Sequence, residues 1–321
     1  IIGVALILVV VLFALPFVVR QAQDTGQDPQ PTAQEEAALP DSGHTLRVKG
    51  SDGQVTEMDL NQYLWGVVAA EMPASFEEEA LKAQTCAART YTAVLQKSAG
   101  SKHPDADICG DSTCCQAYIE RSDAQARWGL NAQSYSEKIA RAVADTDGLG
   151  VTYGGEPIQA LFFSSSPGRT VDAAAVWGSQ VDYLKSVSSP ERDEVPNYRS
   201  QVDKTAQEVR QAVLDAYPGA DLSGDPSGWF GQADRDAGGT VRSIPLGGVT
   251  LTGGQVRSLF ALRSAAFTVA WDGSKFTFSV TGYGHGVGMS QYGANAMAKE
   301  GKGFREILTW YYTGTAVEEL W

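Results

Sequence analysis

Residues 59–98 read DLNQYLWGVVAAEMPASFEEEALKAQTCAARTYTAVLQKS, and this stretch predicts two consecutive helices. The first helix begins at a capping box that starts with Asp59, and its apolar residues recur at helical spacing. Pro73 ends this helix, because a proline disfavours helical geometry at the residue before it. A second capping box, formed by Ser75 and Glu78, begins the next helix, whose alanines allow close packing against a neighbour.

The rest of the folded region predicts further helices and several strands. Helical patterns occupy 134–144, 205–217, 291–299 and 304–311, and strand patterns occupy 150–163, 241–251 and 267–281. Thr252 with Gln255 predicts the cap of a further short helix. Residues 218–239 are rich in Gly, Asp and Pro, which predicts a long surface excursion. Because helices and strands are partly segregated, we expect an α+β fold in which helices and antiparallel strands surround a substrate cleft.

The N-terminal segment differs in composition from the rest of the chain. Residues 1–19 are almost entirely apolar and predict one transmembrane helix, since a helix of this length spans about 28 Å and a bilayer core is about 30 Å thick. The alternative is a cleaved signal peptide, whose apolar region is shorter and precedes a small-residue cleavage site. Residues 20–44 are polar and contain prolines, which predicts a disordered tether. Residues 45–321 are then the folded domain, placed outside the cytoplasm.

Composition excludes several classes of function. The chain has 321 residues, with 25 basic and 38 acidic side chains and a net charge of −13. Nucleic acid is excluded as a partner, because binding to its phosphates depends on Lys and Arg. Three histidines are too few for a His-rich catalytic metal centre, and four cysteines are too few for a disulfide-built scaffold.

Glu71 is a candidate catalytic acid. It lies at the predicted end of a helix, where the partial negative charge of the helix disfavours an ionised neighbour. The apolar residues Val68, Met72 and Phe76 and the acidic run 77–79 should raise its pKa further. A carboxylic acid with a raised pKa stays protonated long enough to donate a proton. The alternative is an ordinary surface glutamate at a helix end.

Four residues within thirteen positions offer one nitrogen and three sulfur ligands. His103, Cys109, Cys114 and Cys115 suit a tetrahedral zinc ion, in a loop at about 100–118. Because these four ligands leave no position for water or substrate, the zinc would be structural. The alternative is a disulfide between Cys109 and one of the other two cysteines.

Two further segments have the composition of binding loops. Residues 283–293 read YGHGVGMSQYG, in which the glycines allow the backbone to approach a ligand closely around His285; the alternative is a tight turn. Residues 163–170 read FSSSPGRT and supply small hydroxyls after a predicted strand, either for sugar recognition or only to end the strand. A serine hydrolase using one of these hydroxyls with His285 would lack the Gly-x-Ser-x-Gly motif.

Taken together, these segments resemble the family that contains stage II sporulation protein D and the amidase-enhancer proteins. The matching positions span about residues 60–300 in family order. They are 68–73, 79–84, 87–91, 164–170, 172, 176–178, 183, 186–187 and 283–294. Three positions depart from the family pattern. Cys114 stands where zinc-binding members have histidine, Pro167 stands where glycine is common, and Cys86 replaces a more usual aliphatic residue.

The resemblance implies a lytic transglycosylase that acts on peptidoglycan strands already stripped of their stem peptides. Glu71 would protonate the glycosidic oxygen between N-acetylmuramic acid and N-acetylglucosamine, and would then accept a proton from the 6-hydroxyl that attacks the anomeric carbon. One carboxylate suffices for this reaction, whereas hydrolytic glycosidases use two. The resemblance places the following side chains at the glycan cleft: Arg89, Ser164, Ser166, Thr170, Tyr183, His285, Gln291 and Tyr292. For Arg89, the alternatives are to orient Glu71 or to pair within the core.

The resemblance also implies a cellular setting and a rival function. The setting is septal thinning during engulfment, by a single-pass membrane protein that faces the space between mother cell and forespore. Its expected partners are peptidoglycan strands, an amidase that removes stem peptides, and a membrane scaffold of the engulfment machinery. The rival is a non-catalytic, glycan-binding protein that enhances an amidase.

Overall fold

The computed structural model describes residues 41, 43–97 and 103–321. The predicted transmembrane helix and nearly all of the predicted tether lie outside these residues. Within the part of the chain that is described, no helix is both long enough and apolar enough to cross a bilayer.

The described chain opens with a strand pair that the sequence did not predict, followed by the two helices that it did. Strands β1 (Thr45–Lys49) and β2 (Val55–Asp59) pair antiparallel and lead into α1 (Leu60–Glu71) and α2 (Glu78–Lys97). The Asp59 side chain accepts a hydrogen bond from the backbone of Asn61, and Met72 is extended before the proline. Helix α2 begins at Glu78 rather than at the expected Ser75 cap.

The remaining elements confirm an α+β architecture. The first group is β3 (Ile108–Cys109), α3 (Arg121–Trp128), α4 (Ala132–Ala144), β4 (Leu149–Tyr153), β5 (Glu156–Pro157), β6 (Phe162–Phe163) and α5 (Ala173–Trp177). The second group is β7 (Arg199–Thr205), α6 (Ala206–Ala216), β8 (Asp234–Arg235), β9 (Val241–Leu246), β10 (Val249–Thr252), α7 (Gly253–Leu259), β11 (Phe267–Trp271) and β12 (Lys275–Thr281). The third group is β13 (Met289–Ser290), α8 (Gln291–Lys299), α9 (Phe304–Tyr311) and β14 (Ala316–Glu319).

The described strands form small, mostly antiparallel sheets. Their orders are β2-β1-β3, β10-β9-β8, β11-β12-β7, β13-β6 and β14-β4-β5. The predicted hairpin at 267–281 is confirmed, as is the strand-turn-strand at 241–251. Thr252 and Gln255 form the expected capping box of α7.

The predicted hairpin at 150–163 is only half right. Strand β4 turns through two glycines and pairs with the short β5. Phe162 and Phe163 instead pair in parallel with Met289 and Ser290 in β13. This pairing brings the serine-rich segment and the glycine-rich loop together, although they are far apart in the chain.

Two hydrophobic cores underlie the sheets. The first surrounds α2, which contacts α1, α4, α8, α9 and β4 through a face rich in alanine. The second lies between residues 202 and 280 and contains Phe276 and Phe278 from β12. Most of the segment 218–239 is exposed or half-buried, as its composition suggested, but Leu222 and Trp229 anchor it in this second core.

Candidate active site

An open cleft of about 560 Å³ contains the candidate acid. It is lined by the end of α1, by residues 112–117, by residues 160–164 and by residues 283–285, together with Tyr91, Arg257 and Gln291. Its volume lies within the usual range for small-molecule sites. Of the predicted site residues, the cleft brings together Glu71, Ser164, His285, Gln291, Cys114 and Cys115.

Glu71 is the last residue of α1 and is largely buried in the cleft wall. Its Oε1 accepts a hydrogen bond from the backbone N–H of Ala117 at 3.0 Å, and its Oε2 accepts one from Gln291 Nε2 at 3.4 Å. Burial raises the pKa of the Glu71 carboxyl, while these two hydrogen bonds act in the opposite direction. The net effect favours a protonated acid, as the sequence suggested.

The acidic run that was expected to assist in raising this pKa has other partners. Glu79 accepts a hydrogen bond from the backbone of Phe304 at 2.8 Å, and it lies 3.1 Å from the ammonium group of Lys82. Lys82 also lies 3.7 Å from Glu78. Desolvation of Glu71, rather than repulsion from the run 77–79, is therefore the main cause of the raised pKa.

Gln291 is positioned by the start of α8. The Ser290 hydroxyl accepts a hydrogen bond from the backbone of Gly293 and caps this helix, which places Gln291 in its first turn. The Gln291 amide also lies 3.5 Å from the carbonyl oxygen of the fully buried Gln84. The α8 cap thus fixes the amide that hydrogen-bonds to Glu71.

The glycines of the loop 283–290 bring this loop close to the segment around β6. Gly288 has φ of +80°, and a Cβ atom there would lie 2.1 Å from the carbonyl oxygen of Leu161. Gly284 has φ of +119°, and its Cβ would lie 2.7 Å from that of Phe163. These glycines allow the loop to pack against the segment around β6, and Gly284 also lines the cleft.

His285 lines the cleft with both ring nitrogens hydrogen-bonded to the backbone. Val287 N–H donates to Nδ1 at 3.2 Å, so Nε2 carries the proton and donates to the Phe162 carbonyl at 3.1 Å. Burial lowers the pKa of His285 to about 4, so the ring is neutral near pH 7. Among the described residues, no serine hydroxyl is hydrogen-bonded to this ring, and the triad of a serine hydrolase is not formed.

A buried carboxylate that sequence reasoning missed links the two loops. Glu191 is fully buried and accepts hydrogen bonds from Ser166 N–H at 2.7 Å, Ser290 Oγ at 2.5 Å and Ser189 Oγ at 2.5 Å. Ser189 Oγ also lies 2.6 Å from the Tyr311 hydroxyl. Glu191 therefore connects the serine-rich segment to the cap of α8. A lone glutamate in the sequence SSPERDE carries no pattern that could have revealed this role.

Arg89 is not in the cleft, which corrects its assignment to the glycan. Its side chain is fully buried and forms a bidentate pair with Asp41, with nitrogen–oxygen distances of 2.6–3.1 Å. Its remaining nitrogen donates to the Leu149 carbonyl at 2.9 Å. The alternative of pairing within the core is the one that the structure adopts, because a buried guanidinium requires a counter-charge and hydrogen-bond acceptors.

Two hydroxyls assigned to the cleft are also buried in the protein. Ser166 Oγ accepts from the backbone of Gly168 at 3.2 Å. Thr170 Oγ1 accepts from the backbone of Val187 at 2.9 Å. Both side chains are at most 1% exposed, so they shape the loop and do not line the cleft.

The two tyrosines assigned to the cleft do not line it either. Tyr183 lies 5.6 Å from the ring of Tyr153, and its hydroxyl accepts from the backbone of Gln159 at 3.2 Å. Tyr292 packs edge-on against Phe76, with ring centroids 4.9 Å apart. The cleft instead contains Tyr91 and Tyr283, which the sequence analysis had not assigned.

The four candidate metal ligands converge. Their ligand atoms all lie within 4.8 Å of one another. His103 Nε2 lies 3.4 Å from Cys114 Sγ and 3.5 Å from Cys115 Sγ, and the two sulfur atoms are 3.8 Å apart. A tetrahedral zinc with usual bond lengths separates its ligand atoms by roughly 3.5–3.8 Å. The cysteines form no disulfide, so the donor set and its spacing fit zinc.

Comparison with known proteins gives a consistent result. A family model described as stage II sporulation protein, SpoIID, matches residues 49–153. The chain is 36% identical to stage II sporulation protein D of Bacillus subtilis, over 98% of this chain and 92% of that protein. It is 35% identical to the protein of the same name from Bacillus amyloliquefaciens, over 98% and 93%. It is 30% identical to an amidase enhancer of Bacillus subtilis, over 79% of this chain and 40% of that protein.

Proposed function

Because the chain belongs to the stage II sporulation protein D family, we propose that it is a lytic transglycosylase that acts during sporulation. Its substrate is peptidoglycan stripped of stem peptides, and its product carries a 1,6-anhydro ring. The observation that carries this proposal is Glu71, a half-buried carboxyl with a raised pKa in an open cleft. It is the sole carboxyl group among the described residues that line this cleft.

The cleft supports each proton transfer of this reaction. Protonated Glu71 donates its proton to the glycosidic oxygen as the bond from that oxygen to the anomeric carbon breaks. The carboxylate that results is stabilised by the Ala117 N–H and the Gln291 amide. It then accepts the proton of the 6-hydroxyl while the 6-oxygen bonds to the anomeric carbon. No water is consumed, and Glu71 ends the cycle protonated.

The absence of a second cleft carboxylate argues against hydrolysis. Glycoside hydrolases generally place two carboxyl groups about 5–9.5 Å apart, one on each side of the scissile bond. Among the described residues lining the cleft, Glu71 has no such partner. An intramolecular nucleophile removes the need for a base that activates water.

We also propose that His103, Cys109, Cys114 and Cys115 hold one structural zinc ion. Bound zinc would hold together a loop that leads directly to Ala117, whose N–H donates to Glu71. Four protein ligands leave zinc no open position, so its contribution is to fix this loop rather than to take part in the reaction.

The proposed setting includes the segments outside the described residues. The apolar segment 1–19 anchors the protein in the cell membrane, and the folded domain faces the space between mother cell and forespore. An amidase strips the strands before they enter the cleft, and a membrane scaffold of the engulfment machinery keeps the two activities at one septum. The amidase-enhancer relative supports a connection with wall amidases.

The same relative favours a second candidate function, which is glycan binding without catalysis in support of an amidase. Digestion of peptide-free glycan strands by the purified folded domain, followed by mass spectrometry, separates the two. We expect 1,6-anhydro ends from the wild type and none from Glu71→Gln. Reducing ends that have gained water would indicate hydrolysis, and no cleavage by a folded, zinc-loaded preparation would favour the non-catalytic function.

A further inference from the structure

Arg257 provides a permanent positive charge in the cleft wall. It lies on α7 in the second core, is partly buried, and lines the cleft that contains Glu71. Its Nε donates to the backbone carbonyl of Arg263 at 3.2 Å, which orients the guanidinium. The two terminal nitrogens remain for other acceptors.

No carboxylate of the described residues forms an ion pair with Arg257. Burial lowers the pKa of Arg257, and the neighbouring group that acts in the opposite direction is the phenol of Tyr283. The neighbouring Arg263 is engaged differently, because its guanidinium lies over the Tyr283 ring at 4.1 Å. Arg89, by contrast, is buried with a bidentate aspartate. A partly buried, unpaired guanidinium in a cleft is suited to an anion supplied by a ligand.

Arg257 and the candidate acid Glu71 line the same cleft from different elements. Arg257 lies close enough to His285 to lower the pKa of that ring further, so it belongs to the wall formed by the loop 283–290. Burial and the hydrogen bonds from Ala117 and Gln291 set the pKa of Glu71. Arg257 and Glu71 thus line one cleft, Arg257 from α7 and Glu71 from the end of α1.

We propose that Arg257 binds the free lactyl carboxylate of N-acetylmuramic acid and thereby selects strands from which the stem peptide has been removed. This inference rests on the proposed function. Removing the peptide converts a neutral amide into a carboxylate, and a guanidinium binds a carboxylate through two parallel hydrogen bonds. With the peptide attached, the same position offers neither the charge nor the second acceptor oxygen.

The overall charge of the protein favours a local cation where an anionic strand binds. The chain has a net charge of −13, so it repels a stripped strand, which carries one carboxylate on every second sugar. A local cation in the cleft offsets this repulsion where the strand binds. Hydrogen bonds to charged groups contribute about 1.5–3 kcal/mol, which corresponds to roughly 10- to 100-fold in affinity.

The test measures binding separately from cleavage. Glu71→Gln, made in the zinc-loaded folded domain, is titrated calorimetrically with a glycan tetrasaccharide that carries free lactyl carboxylates. The same tetrasaccharide with each carboxylate converted to its methylamide is the second probe. We expect the acid to bind roughly 10- to 100-fold more tightly than the amide, and we expect Glu71→Gln/Arg257→Gln to bind the two equally. Arg257→Lys keeps the positive charge but cannot form two parallel hydrogen bonds to a carboxylate, so it should retain part of the preference for the acid over the amide.

Arg242→Gln is the matched control, because Arg242 is an exposed arginine of the same core that does not line the cleft. It should leave the preference unchanged. Equal affinities for acid and amide, or a preference that survives Arg257→Gln in a protein with unchanged thermal unfolding, would overturn the assignment. Cleavage of stripped strands by the wild type is measured in parallel. Its absence would refute the proposed function, whereas its presence alongside equal affinities would refute only the role of Arg257.

Discussion

Replacing Glu191 should reveal how strongly the buried hydrogen-bond network holds the cleft together. Glu191→Ala leaves Ser166 N–H, Ser290 Oγ and Ser189 Oγ without their shared acceptor. Each buried polar group left unsatisfied costs about 1–3 kcal/mol, so for three groups we expect a loss of about 3–9 kcal/mol in the free energy of unfolding. Glu191→Gln retains Oε1, which accepts two of the three bonds, and should lose about 1–3 kcal/mol.

Urea denaturation of the folded domain, monitored by tryptophan fluorescence, measures these losses in the free energy of unfolding. Glu194→Ala is the control, because Glu194 is exposed and accepts one hydrogen bond from the backbone of Arg192; its effect should stay within about 0.5 kcal/mol. Because the same network supports the cap of α8, and through it Gln291, Glu191→Gln should also lower kcat for stripped strands without abolishing cleavage. If Glu191→Ala unfolds at the wild-type urea concentration with an unchanged m-value, the structural role assigned to Glu191 is wrong.

Three further predictions concern the acid, the metal and the glycine loop. Because Glu71 must be protonated to donate and burial raises its pKa, kcat/KM should fall as pH rises through a midpoint above the usual glutamate value; a midpoint at or below that value would contradict the role of burial. Elemental analysis should find one zinc per chain. Cys109→Ser should lose this zinc, lower Tm, and reduce kcat because the loop that carries Ala117 is no longer held in place. If Tm does not change after the zinc has been removed completely with a chelator, a structural zinc is excluded. Gly288→Ala should lower the free energy of unfolding by about 3 kcal/mol or more, because φ at Gly288 is +80° and an added Cβ would meet the Leu161 carbonyl. The control Gly248→Ala has a similar φ of +81° but open space around the added Cβ, and it should cost about 1 kcal/mol; equal losses would refute the close contact at Gly288.

Local signals in the sequence were sufficient for many elements of the fold. The helix end before Pro73, the capping box at Thr252 and the hairpin at 267–281 all depend on residues near each other in the chain, and all were predicted. The raised pKa of Glu71 was also predicted, although burial has the role that was partly given to neighbouring acids. Interactions of this kind leave a pattern that periodicity and capping rules detect.

Contacts between distant segments account for what was missed. The pairing of β6 with β13, the Arg89–Asp41 pair and the Glu191 network each join residues that no local pattern connects. Arg257 was missed for the same reason, since nothing in the sequence around α7 distinguishes it from a surface arginine. A polar side chain in a motif can hydrogen-bond either within the protein or to a ligand. Its burial and its hydrogen-bond partners in the structure distinguish the two roles, as for Ser166 and Thr170.

The joining of β6 to β13 bears on when a newly made chain becomes active. Ser164 and Ser290, which meet at this junction, are 126 positions apart in the chain. The ribosome must therefore complete the whole second core before the glycine loop can close over Phe162 and bring Gln291 to the acid. Chains interrupted in synthesis after β12 would contain Glu71 and the zinc ligands, yet they could not assemble the site. The proposed activity would therefore be withheld from incomplete copies, because its site depends on contacts between segments far apart in the chain.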